Sequence, residues 1–545
     1  ELDPASIRIR IPVNPNASVQ IAAQELQKHL EKLTGIKPEI TSTRQDEASV
    51  YVFHVGLKAL DDQQPLQPEE ARYQVTDNAA WLYGYDKFAI RKDQRSALEI
   101  ATDWNNSTVG TMFAVYNFLE DQFAVRWLFP GDDGIAVQKQ SKLILEKTSS
   151  RWIPQLQVRL LWSTSYEDWF YRGIRNNEHI PPEFKLTTAE QQEKNLEEKL
   201  WQRRMRMGQR MLYSHRHSFT SWWKRFGKTH PEYFALNPNG KREPWSAGHA
   251  PSRINMCVSS TDLHKAVVGE WLKRRHQLRE KTINICENDS SRYCRCKACC
   301  ELDVPRKDET FGTHMTDRYV YFANSILREA KKVDKDAKVC TYAYQEYRLP
   351  PRERKVDEDV VISFVPELWD SEELQDIYRL WRKMGAHTML LRTNELHVDI
   401  GLPMGFEERV FRNFQIGVKN KIVGTRYDAL HGYWLTSGLA NYVLARGFSF
   451  PEKSFEDLEN EYCSAYGPAA GYVRDYYRYW RKNVWEKRIW PARAQLVSFG
   501  HGFLDQALYW TRGAYYRETD FDHTDAILNA AAKEKLDAVE QSRLK

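Results

Sequence analysis

Between residues 156 and 427 the chain repeats one pattern: a short run rich in β-branched and aromatic residues, followed in most cases by a helical or long loop segment. The runs fall at 156–162, 210–214, 254–258, 282–286, 339–344, 360–365, 388–391 and 422–427, with helical periodicity between several of them, for example at 263–280 and 318–333. Strands that alternate with helices build a parallel sheet. Eight such repeats over about 280 residues predict an α/β architecture centred on a (β/α)8 TIM-type barrel. A doubly wound open sheet is the competing arrangement, but no Gly-x-Gly-x-x-Gly turn follows an early strand.

The flanks read differently. In residues 1–150, Ala22, Leu26, Leu30 and Leu33 recur at helical spacing and Gly35 follows as a stop. Val50-Tyr-Val-Phe-His-Val-Gly56 reads as a buried strand, and a second helix follows Gly110. An N-terminal α/β domain over 1–150, a catalytic barrel over 151–435 and a C-terminal helical domain over 436–545 are therefore expected. The last rests on Phe455, Leu458, Tyr462 and Tyr466, spaced by three and four residues.

Charge and hydropathy narrow the function. The 79 Lys and Arg against 74 Asp and Glu leave a net charge of +5 over 545 residues, too mild for a general nucleic-acid binder. No stretch approaches the ~18 apolar residues of a membrane span. Aromatics make up 13% of the chain, with 18 Trp and 28 Tyr. A surplus of that kind serves interfaces and flat apolar ligands such as sugar rings.

In barrels of this type the chemistry sits at the C-terminal ends of the strands. The run ends carry Trp162, then His215-Arg-His217, Glu287-Asn-Asp289, Gln345-Glu346-Tyr347 preceded by Tyr344, Glu367 with Trp369, Arg392-Thr-Asn394-Glu395, and Asp428 with His431 and Trp434 beyond it. Carboxylates thus converge from several strand ends beside aromatics and cations. Glycosidic cleavage needs that mixture: one carboxylic acid to protonate the leaving oxygen and one carboxylate opposite it. Asp289 and Glu395 are the expected pair, with Glu346 the substitute for either. Trp162, His215, His217, Tyr344, Tyr347, Arg392, Asn394, Asp428, His431 and Trp434 are the expected sugar-holding residues. The planar fork of Arg suits a carboxylate or sulfate, which points to an acidic glycan. A polysaccharide lyase, with Tyr347 or His215 as base and Arg392 as neutraliser, and a glycan-binding protein without catalysis are the rival classes. Each strand-end acid taken singly could equally cap a helix or pair with Arg.

Four of the eight cysteines crowd into Cys294-Arg-Cys296-Lys-Ala-Cys299-Cys300. The spacing reads as a metal knuckle or as a local disulfide staple. Zinc takes four S or N ligands; Cys294, Cys296 and Cys299 offer three, with Cys257 as a fourth. Such a knuckle is structural, because an all-thiolate site leaves no open position. No cofactor is expected for catalysis.

Several stretches resemble a known family. Gly110-Thr-Met-Phe-Ala-Val-Tyr-Asn-Phe-Leu-Glu120 and Val125-Arg-Trp-Leu-Phe-Pro130 resemble the N-terminal domain of family 67 alpha-glucuronidases and family 20 hexosaminidases. His230-Pro-Glu-Tyr-Phe-Ala-Leu236, Gly240-Lys-Arg242, Cys257, Asn288-Asp289 and the Cys294–Cys299 block resemble the bacterial domain-of-unknown-function family 4838. Tyr466-Gly-Pro-Ala-Ala470 resembles the helical tail of these multidomain glycosidases. The resemblance implies an exported, carbohydrate-active enzyme working in the periplasm or outside the cell. It favours Asp289, because the Asn-Asp pair belongs to the motif, whereas Glu287 stands outside it. The Asp-Glu pair of family 20 is absent at this strand end, so substrate-assisted cleavage of an N-acetylhexosamine is not implied. Nothing in these features fixes an oligomeric state.

Overall fold

The computed structural model describes residues 1–43, 50–59, 61–88, 95–163, 187–246, 248–275, 282–305, 307, 314–366, 369–394, 401–430, 434–499 and 504–545. The chain divides into two units. The first comprises Glu1–Arg210, Leu396–Arg412 and Asp428–Lys545; the second comprises Met211–Glu395 and Asn413–Tyr427.

In the first unit, Asn16 caps the helix Ala17–Thr34 (α1) by accepting from the Val19 amide, and Gly35 closes it at φ 77°. The stripe of Ala22, Leu26, Leu30 and Leu33 is buried, as its spacing predicts. The strands Ile7–Arg10 (β1), Glu39–Thr41 (β2), Tyr51–Val55 (β3), Ala71–Val75 (β4), Ala79–Gly84 (β5) and Thr148–Trp152 (β6) form a sheet in the order β6-β4-β5-β3-β1-β2. Pairing is parallel from β2 through β1 and β3 to β5, and antiparallel from β5 through β4 to β6. The helix Gly110–Phe123 (α2) is apolar over most of its surface and lies against β4, β5 and α1. It starts at glycine because a Cβ on Gly110 would meet the Glu70 carbonyl oxygen at 2.4 Å. The strands Val158–Ser163 (β7) and Gly208–Gln209 (β8) pair antiparallel.

The C-terminal part of this unit is helical, from Trp434–Ser449 onward. Buried charges join its elements in pairs. Glu120 bonds Arg206 and Arg446, and Arg204 meets Glu25 at 2.7 Å. Arg159 meets Glu69 at 3.0 Å with neither side chain exposed. Pairing offsets the cost of burying charges this deep.

The second unit contains five parallel strands in sequential order: Thr282–Asn284 (β9), Lys338–Ala343 (β10), Val360–Phe364 (β11), Thr388–Leu391 (β12) and the opening of Gly424–Leu430 (β13). They make a curled half-barrel. Every residue of β11 is buried, which accounts for its apolar character apart from Ser363. Helices Thr316–Lys331 and Ser371–Lys383 make crossovers, as parallel neighbours require.

Six of the eight expected runs form strands; those at 210–214 and 254–258 do not. In the first, the ladder ends at Gln209, and the Leu212 carbonyl accepts from the Thr282 hydroxyl instead of a backbone amide. In the second, only Met256 bridges a neighbour, Phe234. Its backbone is claimed by side chains: Asn288 Nδ2 donates to the Ile254 carbonyl at 2.7 Å, and the Met256 amide donates to Glu287 at 3.3 Å. Polar side chains that satisfy the backbone locally compete with ladder formation. No helix among the described residues is long and apolar enough to cross a membrane.

Candidate functional site

The C-terminal ends of β9, β10 and β12 deliver the polar side chains of the second unit to one place. After β9 the chain runs without regular structure through Glu287, Asn288 and Asp289. After β10, Gln345 takes φ 49°, the left-handed region, and opens a single 3-10 turn, Gln345–Tyr347. That reversal presents Gln345 and Glu346 beside the β9 loop. The Gln345 amide Nε2 lies 3.5 Å from Asp289 Oδ1. The Tyr293 hydroxyl lies 3.1 Å from Gln345 Oε1 and donates to the Glu346 carboxylate. Asp289 and Glu346 are thereby linked through two intervening side chains.

Around this link stand an aromatic wall and a cation. The Tyr342 ring receives His217 edge-on at 5.5 Å and Tyr344 edge-on at 6.0 Å. The Arg392 guanidinium lies over the Tyr342 ring, 5.5 Å from its centroid, and donates to Asn394 Oδ1 at 2.5 Å. His217 Nδ1 is 2.5 Å from the Glu287 carbonyl oxygen. Burial pushes the Tyr344 hydroxyl above its ordinary range; the Asp289 charge adds to the effect and Arg392 opposes it. Asp289 is 44% exposed and has Arg253 at 3.9 Å, a solvent-screened pair of small energetic weight.

Beneath this layer lies a closed one. Glu287 is 1% exposed and accepts from the Asn288 and Met256 amides and, at 3.4 Å, from the Tyr319 hydroxyl. Burial outweighs those three donors and pushes its carboxyl up to about 7. Tyr347, 2% exposed, stacks on Tyr319 with centroids 4.0 Å apart. His215, 3% exposed, sets Nδ1 3.1 Å from the Ser363 hydroxyl and Nε2 3.5 Å from Arg426. Burial, reinforced by Arg426, Arg392 and Arg216, holds His215 well below its ordinary value, so it is neutral.

Of the residues singled out in the sequence, Asp289, Glu346, Tyr344, Arg392, Asn394 and His217 come together, while His215 and Tyr347 form the wall behind them. Glu395 and His431 lie outside the described residues, as do the side chain of Trp162 and Glu367. Asp428 and Trp434 belong to the first unit, where the Trp434 ring meets Trp201 edge-on at 4.7 Å. Tyr293, Tyr342 and Arg253 were not singled out. Tyr342 sits inside a strand run, and Tyr293 acquires its place only through the β10 turn.

A family model described as domain of unknown function (DUF4838) matches residues 129–478, more than half of the chain. This chain is a DUF4838 protein. No curated protein matches it. Among solved structures, the DUF4838 chain is similar to a family 115 4-O-methyl-alpha-glucuronidase with specificity for decorated arabinogalactans, at a TM-score of 0.51 and 11% identity, covering 99% of this chain and 70% of that one. The family 20 chitobiase of Flavobacterium johnsoniae gives 0.42 at 10% identity, covering 97% and 85%. A family 138 enzyme targeting pectin rhamnogalacturonan II gives 0.45 at 9%, covering 99% and 67%. These are distant likenesses of fold to glycoside hydrolases. The matched segment of the DUF4838 chain holds the whole parallel sheet, the acids at its strand ends and the four cysteines. The Sγ atoms of Cys257, Cys294, Cys296 and Cys299 all lie within 4.8 Å of one another, a set that can hold a structural metal such as zinc.

Proposed function

We propose that this chain is a glycoside hydrolase that cleaves an acidic glycan, uronate-containing or sulfated, with Asp289 and Glu346 as its carboxylate pair. The observation that carries this is the link Asp289–Gln345–Tyr293–Glu346, which holds two acids from different strand ends at one site beside an aromatic wall. Paired carboxyl groups are what both the retaining and the inverting reactions require. Glu395, three residues beyond Arg392, is the alternative partner for Asp289. Tyr344 and His217 offer ring faces and edges to a sugar. Arg392, already oriented by Asn394 and Tyr342, supplies the fork for a carboxylate or sulfate. Catalysis is placed in the 151–435 segment, in a periplasmic or secreted protein.

Elimination is the weaker reading. The side chains it would use as base, Tyr347 and His215, are both buried. One screen separates the classes: acidic polysaccharides and their oligomers are incubated with the chain and the products weighed. A hydrolase adds the mass of one water at each cut, whereas a lyase adds none and leaves a product absorbing in the near ultraviolet. Binding without any product over long incubation would leave a glycan receptor. Asp289→Asn and Glu346→Gln are each expected to abolish turnover with the unfolding temperature unchanged; full activity in Asp289→Asn removes that residue from the mechanism.

A further inference from the structure

The loop after β9 carries Asp289, yet from Ile285 to Cys296 it has no regular secondary structure. Something other than a ladder must hold it. On one side, side chains tie it to the 254–256 segment: Asn288 to the Ile254 carbonyl, Asn255 Nδ2 to the Ser290 carbonyl at 2.9 Å, and the Met256 amide to Glu287. On the other side stand Cys257, which directly follows Met256, and Cys294, four residues beyond Ser290.

We propose that Cys257, Cys294, Cys296 and Cys299 bind a tetrahedral zinc ion that fastens the Asp289 loop to the 254–260 segment. The sulfur spacing is that of a metal site. Zinc–thiolate bonds of about 2.3 Å place tetrahedral sulfurs about 3.8 Å apart; Cys257 Sγ lies 3.7 Å from Cys296 Sγ and 3.8 Å from Cys299 Sγ. A disulfide would need its sulfurs at about 2.05 Å. The four ligands come from two stretches of chain, as in a knuckle, and fill every tetrahedral position, so the ion is structural.

The surroundings suit thiolates. The Leu236 amide donates to Cys294 Sγ at 3.2 Å, and Ser259 Oγ lies 3.1 Å from Cys299 Sγ. The Arg242 guanidinium stands beside Cys257, Cys294 and Cys296, where its positive charge offsets part of the net negative charge of a four-thiolate zinc centre. The cluster is also woven into its supports: the Cys257 amide donates to the Tyr233 carbonyl at 2.8 Å, the Arg295 amide to the Leu236 carbonyl at 3.0 Å, and Arg318 to the Cys294 carbonyl at 2.8 Å. Three segments, 233–236, 254–257 and 294–299, meet at the sulfurs with a single β-bridge between them.

The inference stands apart from the glycosidase reading, because its test needs no substrate. The full-length chain, purified from zinc-supplemented medium without chelator, is analysed for metal and protein together. One zinc per chain is expected. Cys257→Ser, Cys294→Ser, Cys296→Ser and Cys299→Ser should each lose most of it, while Cys300→Ser and Cys463→Ser keep it. Exchange with cobalt should give the intense thiolate-to-metal absorption of a four-sulfur site. Stripping the ion from the unaltered chain should speed amide exchange across 285–296 and leave 338–343 as before, a readout that survives even if a Cys variant fails to fold. A chain that carries and takes up no zinc, or unreduced alkylation masses that reveal a disulfide within the four, overturns the site. Zinc present with unchanged exchange at 285–296 overturns its fastening role.

Discussion

Glu287 offers the sharpest test of how the floor of the site is built. Burial raises its carboxyl from an ordinary 4.5 to about 7. Below pH 4.5 it is protonated in folded and unfolded chains alike and contributes nothing. From 4.5 to about 7 the folded state holds more proton than the unfolded one, so stability falls as pH rises; above that the loss is complete. At about 1.4 kcal/mol for each tenfold change, the ionised carboxylate costs the fold about 3 kcal/mol at neutral to mildly basic pH. Glu287→Gln removes the titration but turns its NH2 group toward one backbone amide, Asn288 or Met256, because Asn288 bonds Oε1 while Met256 and Tyr319 share Oε2; that adds a cost of about 1–3 kcal/mol that does not vary with pH. The stability of the variant relative to the unaltered chain is expected to rise by about 3 kcal/mol between pH 4 and pH 8. A chain of two units need not unfold in one step. The assay is therefore native-state amide exchange on Thr282–Asn284 and Lys338–Ala343, converted to local opening free energies across the pH range. A difference between the two proteins that stays constant with pH would refute a buried, raised carboxyl.

Two further outcomes follow from the charged groups. Arg392→Ala is expected to raise KM for an acidic glycan at least tenfold, from the loss of roughly 1.5–3 kcal/mol of charge-assisted bonding, while leaving a neutral analogue unaffected; Arg392→Lys should recover only part, and steady-state kinetics at low and high salt read both effects. Burial alone would raise the Glu120 carboxyl, but Arg206, Arg446 and Arg126 outweigh it and hold it at about 2. Glu120→Ala leaves the buried Arg206 without a carboxylate and Arg446 with Glu461 alone, and should cost roughly 3–5 kcal/mol, seen as a lowered unfolding temperature; the Glu120 carboxylate supports stability above pH 4.5, and that support is lost as pH falls toward 2.

How much of this could be read from the chain alone differs by element. The run at 360–365, apolar but for Ser363, reads as a strand, and β11 is one, buried along its whole length. The same reasoning fails at 254–258, because Glu287 and Asn288 satisfy that backbone from positions up to 34 residues away. Asp289 and Glu346 are legible as acids at strand ends; their linkage is not, since it depends on Gln345 adopting φ 49° and on Tyr293 reaching across from another loop. Glu287 looked incidental beside the Asn-Asp pair, and only its surroundings give it a role. The cysteine spacing leaves metal and disulfide open; that Cys257 joins the other three, with all four Sγ atoms within 4.8 Å of one another in a set that can hold a metal, is seen only in the fold.

The Gln345 backbone sets a limit on how this protein can drift. A side-chain-bearing residue in the left-handed region gives up roughly 1–2 kcal/mol, and glycine there would recover much of it. Random change at this position is therefore drawn toward glycine by stability alone. That exchange would delete the amide that spans Asp289 and Tyr293, leaving a sturdier chain with two uncoupled acids.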